Sequence, residues 1–120
     1  MRRILLSLIL CLQSASMLAA SGAFHTTAFD DSRLVSLSLT EGGPAHDRAF
    51  DFDVVITLSE IDRDGAVLYQ DGGRHEASVR CVSPAMVRVN SAEYVVDVSA
   101  RPGTDWKHDL WATLCTAPAS

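Results

Sequence analysis

Residues 81–115 read CVSPAMVRVNSAEYVVDVSARPGTDWKHDLWATLC, and the fold turns on this stretch. Two runs rich in β-branched residues, Ala85–Val89 and Glu93–Val98, are joined through Asn90-Ser91-Ala92, which is the spacing of a hairpin. Val87 and Val89 then face Tyr94, Val96 and Val98 across the turn. Arg101-Pro102-Gly103 interrupts the chain, because proline lacks a donor and glycine accepts positive φ. Beyond it the period becomes helical. Trp106, Leu110, Trp111 and Leu114 fall at i, i+4, i+5 and i+8, and Thr104 or Asp105 supplies the N-cap. The alternative is a strand over Leu110–Cys115. A helix of about three turns is marginal alone, so both indoles must dock it on a sheet.

Working back towards the N-terminus, Arg74–Val82 alternates, with Ala77, Val79 and Cys81 on one side and Ser78 and Arg80 on the other. Ala66–Gln70 is a short strand between two turn signals, Asp62-Arg63-Asp64-Gly65 and Asp71-Gly72-Gly73. The strongest alternation is earlier: Phe50, Phe52, Val54, Ile56 and Leu58 oppose Asp51, Asp53, Thr57 and Ser59, and only Val55 breaks the pattern. A slip of one residue would bury Asp51 and Asp53, so the register of this strand is fixed. Val35, Leu37 and Leu39 alternate with Ser36, Ser38 and Thr40 in a half-buried strand that Glu41-Gly42-Gly43-Pro44 should end. Phe24–Ser32 shows no period and reads as a loosely held arm. The expected fold is α+β and mostly β: an antiparallel meander of about six strands with one C-terminal helix and one disulfide.

Residues 1–23 have the layout of a secretory signal. Arg2 and Arg3 precede the apolar run Ile4–Leu12, and small residues place cleavage after Ala20 or Ala23. A lipoprotein reading would need Cys11 as the modified N-terminus, but Cys11 lies inside the apolar run. The mature chain, 24–120, is then a single small domain that is periplasmic or secreted. Without the leader, Cys81 and Cys115 remain as an even pair in an oxidising compartment and are expected to bridge. Closing a loop of about 35 residues is worth about 3–4 kcal/mol, a large share of the stability of a domain this size.

The chain carries ten Lys and Arg against fifteen Asp and Glu, a net charge of -5. Loss of Arg2 and Arg3 leaves eight bases against the same fifteen acids, or -7. Such a domain repels phosphates, and no basic cluster reverses this, so nucleic acid is not an expected partner. No second long apolar segment follows the leader, so no membrane span is expected in the mature chain.

Catalytic, cofactor and metal motifs are not found. Residues Glu60–Asp71 imitate a calcium loop, with oxygens at Glu60, Asp62, Asp64 and Asp71, Gly65 at the sixth place and Val67 at the eighth. Glu60 stands where the first Asp belongs, Asp71 replaces the bidentate Glu, and a strand precedes the loop, so a β-turn is the better reading. His25, His46, His75 and His108 have no ligand spacing and are expected on exposed loops or edges. No serine lies in a Gly-X-Ser-X-Gly or Ser-X-X-Lys pattern. Asp51 and Asp53 read as solvated charges rather than an acid/base pair, and Trp106 and Trp111 as core rather than a binding anchor.

The order Ser78-Val79-Arg80-Cys81, a strand with Tyr94, then Trp106, Leu110 and Cys115 resembles the C-terminal block of small exported bacterial proteins of the surface-adhesin E-like kind. It covers about 40 residues, a third of the chain. The resemblance implies a small β-rich domain with a disulfide, and it carries over no functional residue beyond Cys81 and Cys115. The expected function is non-enzymatic: binding an as yet unspecified protein or envelope component outside the cytoplasm. The alternative is an inhibitor of an extracellular or periplasmic hydrolase, inserting Asp62–Gly65 or Arg101–Thr104.

Overall fold

The structure is a computed structural model and describes residues 22–116. The expected leader, apart from Gly22 and Ala23, and the last four residues lie outside the described part. Seven antiparallel strands and one helix follow in order: β1 (Ala23–Ala28), β2 (Arg33–Pro44), β3 (Phe52–Asp62), β4 (Val67–Gln70), β5 (His75–Arg80), β6 (Met86–Val89), β7 (Ala92–Val95) and α1 (Trp106–Cys115). The sheet runs β1-β2-β3-β5-β6-β7 and curls into a half-barrel. The mostly β architecture, the single helix and the Cys81–Cys115 disulfide are those expected from the sequence.

The long strand β3 organises the sheet. Along one edge it pairs with β2 from Pro44↔Phe52 to Arg33↔Asp62. Along the other, its first half pairs with β5 and its second half with β4. Thus β4 and β5 are collinear, two parts of one strand interrupted at Asp71–Arg74, and β4 does not lie between β3 and β5. The β6–β7 hairpin continues from β5 alone. Its two-residue loop is Asn90-Ser91, with Asn90 at φ 59°, the left-handed conformation that a tight hairpin turn requires.

The core is the concave face. Val54 and Ile56 from β3, Ala77 and Val79 from β5, Val87 from β6, and Ala85 and Val96 beside them close around Leu110, with Leu110, Val79 and Val87 entirely buried. The helix lies against β1 and β6. Asp105 is its N-cap and accepts from the Lys107 N–H at 2.9 Å. Trp106, Trp111 and Leu114 pack on the core as the helical period required, and the Trp111 indole N–H is satisfied by the Cys81 carbonyl at 3.2 Å. The bridge joins the end of the helix to the end of β5 across a Cα–Cα distance of 5.5 Å.

Four expectations need correction. Phe24–Ser32 is not a loose arm: β1 pairs with β2 from Ala23↔Ser38 to Ala28↔Leu34. Asp30 turns the chain between them, its carboxylate accepting from the Ser32 and Arg33 N–H groups. Glu41-Gly42-Gly43-Pro44 does not end the second strand. The interruption is instead a bulge at Thr40, after which pairing with β3 resumes. Phe50 precedes β3 and does not share its face. It is buried apart from the main core, with the Arg88 guanidinium 4.2 Å from its ring centroid. Finally, Ser36 is buried rather than on a wet face.

Candidate functional site

Three places gather polar or exposed apolar groups, and each is built by a different part of the fold. The first lies where α1 meets β1. Asp109 stands in the first turn of α1, where a negative charge suits the helix dipole, and is only 7% exposed. Its Oδ2 is 2.8 Å from His25 Nδ1 of β1, and its Oδ1 is 3.3 Å from His108 Nδ1. The Gly103 N–H donates to both oxygens at 3.0 Å, and Gly103 reaches this position with φ at 92°. Burial opposes ionisation of Asp109. The hydrogen bonds from His25, Gly103 and His108, with the charge of His25, outweigh that cost and hold the carboxyl below its ordinary range. His25 and His108 are thus buried, not exposed as their scattered spacing suggested. A shallow cleft of about 450 Å³ opens beside them, between Phe24, Thr26, Pro102 and Thr113. With both oxygens of Asp109 engaged, this cluster clamps β1 and the 101–104 loop to the helix.

The second place is a polar groove of about 580 Å³ on the sheet, floored by Gly42, Gly43 and Val55 and walled by Glu41, Asp53, Arg74 and Arg88. Within it Ser78 Oγ donates to Asp53 Oδ1 at 2.8 Å, and His46 Nδ1 is 2.9 Å from Asp53 Oδ2. The carboxylate therefore stands between hydroxyl and imidazole. Activation of a serine needs the imidazole in that middle position, so these three groups do not form a nucleophile and its base. Hydrogen bonds from His46 and Ser78 keep Asp53 well ionised. Asp51 accepts from the Cys81 N–H at 2.7 Å. Both carboxylates are thus tied into the fold rather than merely solvated. Among the described residues no three His, Cys, Asp or Glu side chains converge to hold a metal ion.

The third place is the end of the sheet remote from the helix. Here the loops after β1 and β3 lie side by side, because Arg63 Nε donates to the Asp31 carbonyl. The Asp62–Gly65 segment is a tight turn: Asp62 Oδ1 accepts from the Asp64 and Ala66 N–H groups, and Gly65 sits at φ 91°. The Asp62 oxygen is therefore spent on the turn itself. The pairing registers align Ala28, Leu34, Ile61 and Val67 in one row across four strands. Tyr69 lies opposite Glu60, which pairs in turn with Val35. Phe29, Val67, Leu68 and Tyr69 are each more than half exposed. Around them stand Asp30, Asp31, Asp62, Asp64 and Asp71. Arg33 is paired with Asp30 and Glu60, and this contact pulls the Asp30 carboxyl down to about 2.

Of the two loops proposed for insertion into a partner, Arg101–Thr104 is exposed and is tied to the helix end. Its Gly103 N–H holds Asp109, and Thr104 Oγ1 donates back to the Arg101 carbonyl at 2.6 Å. Asp62–Gly65 remains at the exposed tip. Sequence reasoning marked that turn but not its neighbours. The Phe29-Asp30-Asp31-Ser32 segment has the composition of a turn between two strands, and the β-branched Thr26-Thr27 before it was the signal for β1. No helix among the described residues is long and apolar enough to cross a membrane. No family model, no curated protein and no solved structure matches this chain.

Proposed function

We propose that this chain is an exported, non-enzymatic binding domain, and that the remote end of its sheet is the surface that docks on a macromolecule in the cell envelope or outside the cell. The observation that carries the reading is the exposed group Phe29, Val67, Leu68 and Tyr69, set among aspartates at one end of the molecule. Apolar side chains gathered and left in water at a rim of charge mark contact surfaces, whereas scattered single ones do not. The disulfide fits a compartment outside the reducing cytoplasm. The excess of acids over bases supports a cationic partner and opposes nucleic acid.

Inhibition of a basic hydrolase is the more specific form of this reading. The Asp62–Gly65 turn is narrow, held by its own hydrogen bonds, and flanked by apolar side chains. Such a turn enters a cleft with little loss of freedom on binding. The test is capture of envelope and culture-fluid proteins on the immobilised oxidised protein, beside a Leu68→Asp/Tyr69→Asp variant. A partner retained in near-stoichiometric yield by the parent and lost by the variant supports the reading. Equal retention by both proteins overturns it. Added to lysozymes and proteases, the parent but not the variant should slow one of them if the partner is a hydrolase.

A further inference from the structure

The sheet ends at β7, and this edge is regular. From the Asn90-Ser91 turn, β6 and β7 pair without a register shift from Val89↔Ala92 to Met86↔Val95. One more bond follows, from the Val96 N–H to the Ala85 carbonyl at 2.8 Å. In an antiparallel ladder the bonded pairs alternate along each strand. Ala92, Tyr94 and Val96 therefore turn their backbone groups to β6, and the N–H and C=O groups of Glu93 and Val95 point away from the sheet. Among the described residues no strand lies beyond β7. All four of its residues are exposed, Val95 at 68% and Tyr94 at 44%. Tyr94 shares the inner face with Val87, and Val95 the outer face with Met86. The other rim of the half-barrel differs, since β1 carries a register shift between Ala23 and His25 and is packed by the helix. Strand β7 has neither bulge nor proline.

We propose that β7 pairs antiparallel with β7 of a second copy of this chain, about a two-fold axis at Tyr94, so that the two half-barrels share one continuous sheet. Charge selects the register. Within the strand only Glu93 and Val95 offer outward groups, which leaves three two-fold pairings. Glu93 opposite Glu93 sets like charges face to face, and Val95 opposite Val95 does the same by bringing Glu93 against Asp97. The third sets Glu93 opposite Val95 of the second copy, and Val95 opposite its Glu93. Each of these pairs exchanges both backbone bonds, and Tyr94 meets Tyr94 as the close, non-bonded pair between them. This register also joins apolar to apolar on the inner face. The row Phe52, Val79, Val87 and Tyr94 runs on into the same row of the second copy, and Ala92 meets Val96. The charges beside the edge are matched within each copy: Glu93 lies 3.8 Å from Arg88 on the outer face, and Lys107, beside the Tyr94 ring, lies 3.2 Å from Asp105. Asp97 and Arg101 follow the strand and are opposite in sign, and Arg80 lies two strands in on the outer face. The acidic excess of the chain is therefore elsewhere. The pairing covers Tyr94 and Val95 and leaves Val67, Leu68 and Tyr69 free, so the dimer presents the proposed docking surface twice.

The test is the association state of the oxidised protein by sedimentation velocity, from about 10 µM to about 1 mM, as suits a small interface. The expected result is a concentration-dependent doubling of mass. Val95→Pro removes an outward N–H from each copy and leaves the Tyr94 and Val96 bonds to β6 in place, so it should weaken association about tenfold or more with little change in the melting temperature of the monomer. Val95→Lys puts a cation opposite Glu93 of the second copy and should tighten association, an effect that salt removes. Tyr94→Cys sets two thiols across the axis, where Cβ atoms lie about 4.5–5.5 Å apart, and should give a covalent dimer on oxidation, whereas Glu93→Cys should not. A monomer at the highest concentration, a dimer that Val95→Pro leaves intact, or weaker association of Val95→Lys would overturn the proposal. The docking surface stands or falls separately: Leu68→Asp/Tyr69→Asp should dimerise like the parent whether or not it captures a partner, and loss of the dimer in that variant would place the contact at the wrong end of the sheet.

Discussion

Asp109 offers the sharpest test of how the helix is held, because one carboxylate serves three elements. Asp109→Ala leaves the His25 ring nitrogen and the Gly103 N–H facing a cavity. Each donor left without an acceptor costs about 1–3 kcal/mol, and two or more are left here. We expect a loss of about 3–5 kcal/mol, which lowers the melting temperature of a domain this size by well over 10 °C, at about 4–8 °C per kcal/mol. Asp109→Asn keeps the shape and one acceptor oxygen but loses the charge, which about halves the strength of each bond, so about 1.5–2.5 kcal/mol is expected. Urea unfolding followed by tryptophan fluorescence reads this directly, since Trp106 and Trp111 both lie on the helix that Asp109 anchors.

The pH dependence sharpens the same test. The Asp109 carboxyl titrates lower in the folded protein than in the unfolded chain. Its stabilisation is therefore complete above the unfolded carboxylate value of about 3.9 and is lost as the pH falls through the lower folded value. Other acids, among them Asp53 and Asp105, are also held low and destabilise the fold in acid, but they do so equally in parent and variant. The difference in stability between the parent and Asp109→Asn should thus stay level from pH 7 to about 5 and shrink below about pH 4. If the two differ by less than about 0.5 kcal/mol at pH 7, within the ordinary range of surface substitutions, the clamp described here does not exist.

Three further outcomes follow from the packing. Cys81→Ser/Cys115→Ser should cost about 3–4 kcal/mol in urea, the entropy of the loop it opens, and a loss below about 1 kcal/mol would mean that the sheet and helix already restrain that loop. Leu110→Ala, at a side chain with no exposure among Val54, Val79 and Val87, should cost about 3–5 kcal/mol by calorimetry, against little effect from Leu68→Ala at the exposed tip. Gly65→Ala, at φ 91°, should lose about 1 kcal/mol or more through strain alone, although the side chain itself would have open space.

How much of this was legible in the sequence follows from how local each signal is. The alternation of Val54 and Ile56 against Asp51 and Asp53, the hairpin at Asn90-Ser91, and the helical period of Trp106, Leu110 and Trp111 are all written within windows of a few residues, and each element was found. What failed was long-range. The pairing of β3 with both β4 and β5 depends on which edge each returning strand meets, and nothing within Ala66–Val82 records that. Gly42-Gly43 looked like a stop, but in a curled sheet a bulge with glycines beyond it lets a long strand bend and continue, with Gly42 opposite Val54. His25 and Asp109 are 84 positions apart. Neither has a neighbour in sequence that announces burial, so their contact is visible only once β1 and α1 are docked.

The candidate surface was half legible for the same reason. The Asp62–Gly65 turn declares itself by composition, whereas the apolar row of Ala28, Leu34, Ile61 and Val67 exists only because four strands arrive in one register. The two ends of the molecule then contrast in a way that bears on function. At the helix end, charge is taken inside: Asp109 is buried with His25 and His108, and the partners needed to satisfy it are supplied by three elements. At the remote end the apolar side chains are outside and the charges surround them. A chain that can enclose an aspartate so fully has core-building capacity to cover Val67, Leu68 and Tyr69, yet β6 stops short of them and the helix turns the other way. Extending the β6–β7 hairpin by about seven residues on each strand, from the level of Val54 to that of Ile61, would carry it alongside β4. If such an insertion raises the melting temperature while abolishing capture of the partner, the exposed tip is a stability cost retained for binding. A rise in stability with capture intact would mean that the tip is not what the partner recognises.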